Sequence, residues 1–288
     1  ITPAEIQKLY AHLKKRGRVR KHKKYGYQLS DSMVHCIHTL LHGAMGAAEQ
    51  FRLIPRNPVA EVTVPKRKLP PKQILNGEQL DTFMAAIQAD DIWHDFFYTE
   101  LTTGLRLGEI CGLRWEDFDA EHGVLKIQRT IHVEKGGVLT TGDTKTYAGT
   151  RKIVLPASTV QCLRERKEAA LTDWIFPNPL KPELPVNPRA AYSRLKVLLK
   201  DTDLPSIRFH DLRHTFSTHA LSSGVDAKTL SGILGHSRAS FTLDTYTHVT
   251  GDMQKRASEV VGDFLTELLG EELKPWQNAE NGAAAVSA

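Results

Sequence analysis

The charge of this chain is concentrated in its first quarter. Residues 1–76 carry 15 Lys and Arg against 4 Asp and Glu, a balance of +11, whereas residues 77–288 carry 23 against 29. A single evenly coated core does not produce that division. It points to a small, strongly basic unit joined to a larger, mildly acidic one, the first suited to gripping a polyanion. A length of 288 residues fits two domains. With 41% hydrophobic and 25% charged residues the chain can bury a core, which excludes a disordered or fibrous protein. No run approaches the ~18 consecutive apolar residues of a membrane span, and no signal-peptide core follows Ile1. Cys36, Cys111 and Cys162 are odd in number and lack CxxC spacing, so they indicate a reducing compartment rather than a disulfide framework or a Cys-based zinc site. The chain starts at Ile1 without Met, as a piece of a longer or processed chain does.

Apolar spacing predicts helices over 3–16 and from about Ser32 to Ala48, the first carrying Ile6, Leu9, Tyr10 and Leu13 on one side. Between them, Lys14 to Lys24 holds eight cations and no acid: Lys14, Lys15, Arg16, Arg18, Arg20, Lys21, Lys23 and Lys24. Such a run is either a solvated loop or a phosphate-contacting loop that orders on nucleic acid. The small helical domain is expected over 1–64. A proline-rich linker follows over 65–74, with Lys66, Arg67 and Lys68 exposed by its extended form. The larger domain, 75–250, reads as helices near 76–89, 93–103, 107–113, 157–171, 188–200, 211–223, 226–234 and 238–246. Strand-like alternation at 124–127, 130–133 and 152–155, punctuated by Gly136-Gly137 and Gly149, predicts one small antiparallel sheet among them. Pro177, Pro179, Pro182 and Pro185 predict a loop. The fold class is therefore mainly α with a small antiparallel sheet, an α+β domain behind a small all-α one. An amphipathic helix over 251–274 and a disordered tail over 275–288 complete the chain.

Four segments carry candidate chemistry. In 103–115, TGLRLGEICGLRW, Arg106 opens a helix beside free backbone N–H groups, a place that suits an oxyanion or a purely structural cap. In His210-Asp211-Leu212-Arg213-His214, a titratable imidazole and a bidentate phosphate donor are three residues apart, on one helix side. The spacing of His210 and His214 also resembles a zinc helix, but Asp211 is not the Glu of HExxH and a third ligand would have to come from elsewhere. Gly235 ends a helix ahead of His236 and Ser237. Tyr246 follows ten residues later, where a core tyrosine is the bland alternative.

Taken together, TGLRLGEICGLRW (103–115), TKTYAGTRKIVLP (144–156), HDLRHTFSTHAL (210–221) and LGHSRASFTLDTYTHV (234–249) resemble the tyrosine recombinases, or phage-type integrases. The look is that of integrases of conjugative transposons and related phages. The likeness covers roughly residues 1–270 and is weaker in the N-terminal part. It implies a DNA-clamp architecture and a site-specific DNA recombinase that integrates or excises a mobile element. Tyr246 would attack the scissile phosphate to give a 3′-phosphotyrosyl link. Arg106 and Arg213 would clamp the non-bridging oxygens, His236 would add a hydrogen bond, and His210 would take the tyrosine proton. Lys145 would protonate the leaving 5′-oxygen, with Arg151 and Lys152 as nearby competitors for that role. Glu109 would orient the site. The ester energy is conserved, so no cofactor and no metal are implied.

The resemblance further implies double-stranded DNA as partner, gripped by Lys14, Lys15, Arg16, Arg18, Arg20, Lys21, Lys66, Arg67 and Lys68. It implies a homo-oligomer on DNA, dimer to tetramer, DNA-bending accessory proteins, and a bacterial, cytoplasmic, nucleoid-associated location away from membranes. The C-terminal helix would cap its own chain or dock on a neighbouring protomer, and an arm-binding domain would lie upstream of Ile1. Two alternatives stay open: a type IB topoisomerase-like enzyme, and a catalytically silent DNA-binding protein on the same scaffold.

Overall fold

The computed structural model describes residues 1–66, 73–143 and 149–236, together with Ser258, Glu259 and Asp263. The chain divides into two compact units, Ile1–Pro71 and Lys72–Ala288.

In the first unit, helix α1 (Pro3–Arg16) opens on a reciprocal cap. Thr2 Oγ1 accepts from the Glu5 N–H, Glu5 Oε2 accepts from the Thr2 N–H at 2.7 Å, and Pro3 occupies the first helical position. Lys14, Lys15 and Arg16 lie in its last turn, where cations suit the carbonyl end. The basic run is therefore split between helix and loop. From Arg18 the chain doubles back, with the Arg18 N–H donating to Tyr27 O at 2.9 Å and His22 and Gly26 exchanging backbone hydrogen bonds. Arg20, Lys21, Lys23 and Lys24 stand exposed on this bonded turn, and Lys14 pairs with Asp31 at 2.9 Å. Helix α2 (Asp31–Gln50), capped by Ser30, packs on α1 through Ile6, Tyr10, Val34 and Val59. Val59 comes from a one-turn 3-10 helix, Pro58–Glu61.

The second unit is built around one apolar core that includes Leu75, Phe83, Phe96, Phe97, Ile110, Leu125, Leu163, Leu195, Phe209 and Leu212. Its elements run α3 (Gly77–Gln88), α4 (His94–Thr103), α5 (Leu107–Cys111), β1 (Phe118–Asp119), β2 (Val124–Ile127), β3 (Arg129–Val133), β4 (Leu139–Asp143), β5 (Arg151–Val154), α6 (Ala157–Glu168), β6 (Pro177–Asn178), β7 (Lys181–Pro185), α7 (Pro188–Lys200), α8 (Phe209–Ser222) and α9 (Ala227–Leu234). Mainly helical structure with small antiparallel sheets is the class expected.

The strands differ from expectation in their pairing. Among the described residues they form three sheets, ordered β1-β2-β5, β3-β4 and β6-β7, rather than one. β2 is hydrogen-bonded on both edges, to β1 and to β5, so β3 has no free edge there. It pairs instead with β4, in register Arg129↔Asp143 to Val133↔Leu139, through a turn in which Gly136 and Gly137 have φ of 93° and 89°. The proline-rich 177–185 segment is also a hairpin rather than a loop. Pro177 pairs with Pro185 at its open end, and Asn178 Oδ1 accepts from the N–H groups of Leu180 and Lys181 to close its turn. Among the described residues no helix is long and apolar enough to cross a membrane. The expected helix 238–246, the 251–274 helix apart from Ser258, Glu259 and Asp263, and the 275–288 tail lie outside the described residues, as do Arg67 and Lys68.

Candidate active site

Three chain turns converge on one spot. Helix α4 ends at Gly104, whose φ of 60° is left-handed and whose missing Cβ leaves room for the Phe216 ring. Two residues later Arg106 caps α5. Its N–H donates to Glu109 Oε2 at 3.0 Å and its Nη1 to Glu109 Oε1 at 2.6 Å. Helix α8 starts two residues earlier than expected. Asp211 reaches back to Arg208, accepting from its N–H at 2.8 Å and from its guanidinium at 2.8 and 3.0 Å. That places His210 in the first turn and Arg213 one turn further on. Helix α9, capped by Asp226, ends at Gly235 with φ of 63°, and His236 follows directly.

The carbonyls at the end of α9 are all accounted for. Ser231 O accepts from the His236 N–H and Gly232 O from the Gly235 N–H, as in a left-handed helix stop. The next three are taken by three arginines. Ile233 O accepts from Arg151 Nε at 2.6 Å, Leu234 O from Arg213 Nη2 at 2.7 Å, and Gly235 O from Arg106 Nη2 at 2.9 Å. The negative end of a helix thus holds a cluster of guanidinium groups side by side. Arg213 also donates from Nη1 to Gly104 O at 2.8 Å, which ties the end of α4 to the same cluster.

The arginines differ in access. Arg213 is 1% exposed, whereas the Arg106 side chain is 41% exposed. Arg213 Nη2 also lies 2.9 Å from His236 Nε2. A guanidinium only donates, so Nε2 is the acceptor and the neutral ring carries its proton on Nδ1. Burial and the charges of Arg213, Arg106 and Arg151 push the His236 pKa down to about 4. His210 is exposed, yet partial loss of water and the charge of Arg213 hold its imidazole below the usual histidine value as well. Its ring meets that of buried His214 edge to face, 4.7 Å between centroids. Among the described residues no group of three or more His, Cys, Asp and Glu side chains is placed to hold a metal, so the zinc alternative finds no third ligand there.

Of the residues singled out from sequence, Arg106, His210, Arg213 and His236 come together. Lys145 and Tyr246 lie outside the described residues. Two further residues belong to the cluster. Arg151, named earlier only as a competitor of Lys145, is 7% exposed and donates to Glu109 Oε2 at 2.9 Å and Oε1 at 3.2 Å. Its donors go to Glu109 and to the carbonyls of Ile233 and Gly149. Burial raises the Glu109 carboxyl, but the hydrogen bond and charge of Arg151 and the charge of Arg106 outweigh it and hold Glu109 below the usual range. Glu100, on α4, is 0% exposed, and among the described residues neither carboxylate oxygen has a hydrogen-bond partner. Burial pushes its pKa well up against the pull of Arg213. Period-two alternation would have turned Arg151 inward with Ile153, and the spacing Phe96, Glu100, Thr103 would have put Glu100 on the buried side of α4.

Such a site can bind an oxyanion between fixed donors and leave a neutral imidazole beside it. The chain resembles known proteins on both sequence and fold. It is 32% identical over 189 residues to a XerC-like tyrosine recombinase of Caldanaerobacter subterraneus, covering 58% of this chain and 48% of the relative. It is 28% identical over 287 residues to the ICEBs1 integrase of Bacillus subtilis, covering 92% and 72%. It is 30% identical over 203 residues to the transposase from transposon Tn916 of Enterococcus faecalis, covering 63% and 49%. The chain thus spans about half the length of two of these three relatives. In fold it matches the Tn1549 transposon integrase in complex with a circular intermediate DNA, with TM-score 0.74, 24% identity, 91% of this chain and 85% of that one. A lambda integrase dimer bound to a COC′ core site matches with TM-score 0.60, 20% identity, and 87% and 66% coverage. The phage integrase family model matches residues 73–252, more than half of the sequence and all of the described site, and the chain belongs to that family.

Proposed function

We propose that the protein is a site-specific DNA recombinase that cuts and rejoins DNA through a 3′-phosphotyrosyl intermediate, integrating or excising a mobile element. The observation that carries this reading is the convergence of Arg106, Arg213 and His236 at the end of α9, with His210 one turn before Arg213. Attack on a phosphodiester concentrates negative charge on the non-bridging oxygens. Arg106 and Arg213 are fixed donors for that charge, and their contacts to backbone carbonyls hold them without reorganisation during the reaction. His236, protonated on Nδ1, adds a donor that stays neutral at physiological pH. His210, with its lowered pKa, is an unprotonated acceptor there and serves as base for the Tyr246 hydroxyl. In this reading Tyr246 is the nucleophile and Lys145 the acid for the leaving 5′-oxygen, so the phosphate–oxygen bond that breaks is replaced by one to the tyrosine and no external energy is consumed.

The basic first unit and the linker residue Lys66, with Arg67 and Lys68, supply the sequence-independent grip on duplex DNA. Oligomerisation on DNA, from dimer to tetramer, is supported by lambda integrase structures of similar fold, a dimer on a core site and a tetramer on a Holliday junction. The C-terminal 251–274 segment is the candidate exchange element, bending proteins the candidate accessories, and the bacterial nucleoid the place of action.

The test is covalent capture. The protein is incubated with a pool of nicked suicide duplexes of randomised core, and adducts are resolved on a denaturing gel, mapped and sequenced. The expected result is one adduct at Tyr246 with a shared core sequence, absent from Tyr246→Phe although that variant still binds DNA. An adduct that persists in Tyr246→Phe overturns the assignment. Relaxation of supercoiled DNA with no shared core identifies the topoisomerase-like alternative.

A further inference from the structure

Each of the three arginines at the end of α9 has its own second attachment, and one of them is not accounted for by oxyanion binding. Arg106 is half open to solvent, and Arg213 touches His236. Arg151 does neither. It stands at the first residue of β5, and Arg151 Nη1 donates to Gly149 O at 3.2 Å. Its Nε holds Ile233 O, and its Nη1 and Nη2 grip both oxygens of Glu109. Glu109 uses the same two oxygens to hold the backbone and the guanidinium of Arg106. A single buried side chain therefore bridges three elements. One is the strand that leaves the 144–148 segment, the second is the turn that presents Arg106, and the third is the helix end that presents His236.

We propose that Arg151 is a positioning residue of the reaction centre, which sets the register of Arg106 and His236 against the strand leaving the Lys145 segment. Its planar fork suits this task. Two parallel bonds to a carboxylate and a third, divergent bond to a carbonyl fix an angle as well as a distance. A lysine at 151 keeps the charge, but its one nitrogen replaces three separate donor nitrogens and cannot fix the angle between the Glu109 carboxylate and Ile233 O. Arg151 acts through Glu109 and α9 and does not touch the scissile phosphate. Its loss therefore slows the chemical step while leaving DNA binding in place.

The inference rests on the recombinase reading, and two measurements separate the two. First, wild-type protein and the variants Arg151→Lys, Arg151→Ala and Glu109→Gln are compared on the captured suicide duplex, with binding and single-turnover cleavage at saturating protein measured separately. The expected result is binding within about threefold of wild type, cleavage slowed at least ~10-fold in Arg151→Lys and further in Arg151→Ala, and partial recovery of Arg151→Ala by added guanidinium ion. Failure of the wild type to cleave strikes at the recombinase reading, whereas the ratio of variant to wild type reports on Arg151. Second, the imidazole titration of His236 is followed by NMR without DNA. The charge of Arg151 is one of those that depress it, so the midpoint rises in Arg151→Ala. Cleavage by both Arg151 variants within twofold of wild type, or a loss confined to DNA affinity, overturns the proposal. An unmoved His236 midpoint in Arg151→Ala overturns it as well. Should Arg151→Ala not fold, Arg151→Lys and Glu109→Gln carry the cleavage comparison.

Discussion

His236 should remain neutral far below the pH at which an ordinary histidine gains its proton. Its Nε2 accepts from Arg213, so a proton arriving there must break that bond and sit between guanidinium charges. Burial comes first among the causes, followed by Arg213, Arg106 and Arg151, and together they lower the pKa from 6.5 to about 4. Near pH 5 a group of pKa about 4 is ~90% neutral, whereas one of pKa 6.5 is only ~3% neutral. The assay is a pH titration of the protein carrying ring-labelled histidine, with the His236 signal identified by its absence from His236→Asn. The expected midpoint lies near 4, and replacing Arg213 by Gln moves it up towards 6.5. A consequence for stability has a definite direction. The folded pKa lies below the unfolded one, so stability is full above about pH 6.5 and falls as pH drops towards 4, while the unfolded chain takes up a proton that the folded one refuses. The loss is at most about 3 kcal/mol, less what solvent screens at this partly exposed ring. A wild-type midpoint between 6 and 7 would refute the reasoning that burial and the three guanidinium charges keep His236 neutral in acid.

Two further outcomes follow from the same cluster. Glu100→Gln keeps the shape of the buried side chain and removes an acid whose pKa burial raises well above the usual carboxylate value. The folded pKa lies above the unfolded one, so wild type loses stability relative to the variant as pH rises above 4.5, and the Tm of the variant should gain on that of wild type from pH 5 to pH 8; no gain contradicts a raised Glu100 pKa. Gly104→Ala forces an alanine to a φ of 60° and into the Phe216 ring, at a cost of about 2–4 kcal/mol. Thermal unfolding should fall by roughly 5–15 °C, and an unchanged Tm would show that the turn relaxes freely.

What was legible in the sequence was local. Helix α7 spans Pro188–Lys200 and β2 spans Val124–Ile127, both as expected, because caps, prolines and apolar period act on neighbouring residues. Strand pairing was not legible. Whether β3 joins β2 or β4 depends on which edges of β2 are already filled, and β5, which fills one of them, lies more than twenty residues away. Arg106, His210, Arg213 and His236 were legible through the resemblance, which packs chemistry into short motifs. Arg151 was read from its neighbourhood in the chain, beside Lys145. Its role depends on Glu109 and Ile233, 42 and 82 residues distant, and no spacing rule reports such partners.

The acceptors at the end of α9 are peptide oxygens, which every amino acid carries. Replacing Ile233 or Leu234 by another residue of similar bulk therefore deletes none of the three bonds, whereas inserting or removing one residue within α9 displaces all of them together. Each residue of a helix turns the chain by about 100° and advances it about 1.5 Å, so a single step carries every carbonyl out of reach of its arginine. The site should thus tolerate changes of letter in this stretch and fail on changes of length. A scan of single-residue deletions through 227–234 would show that asymmetry directly.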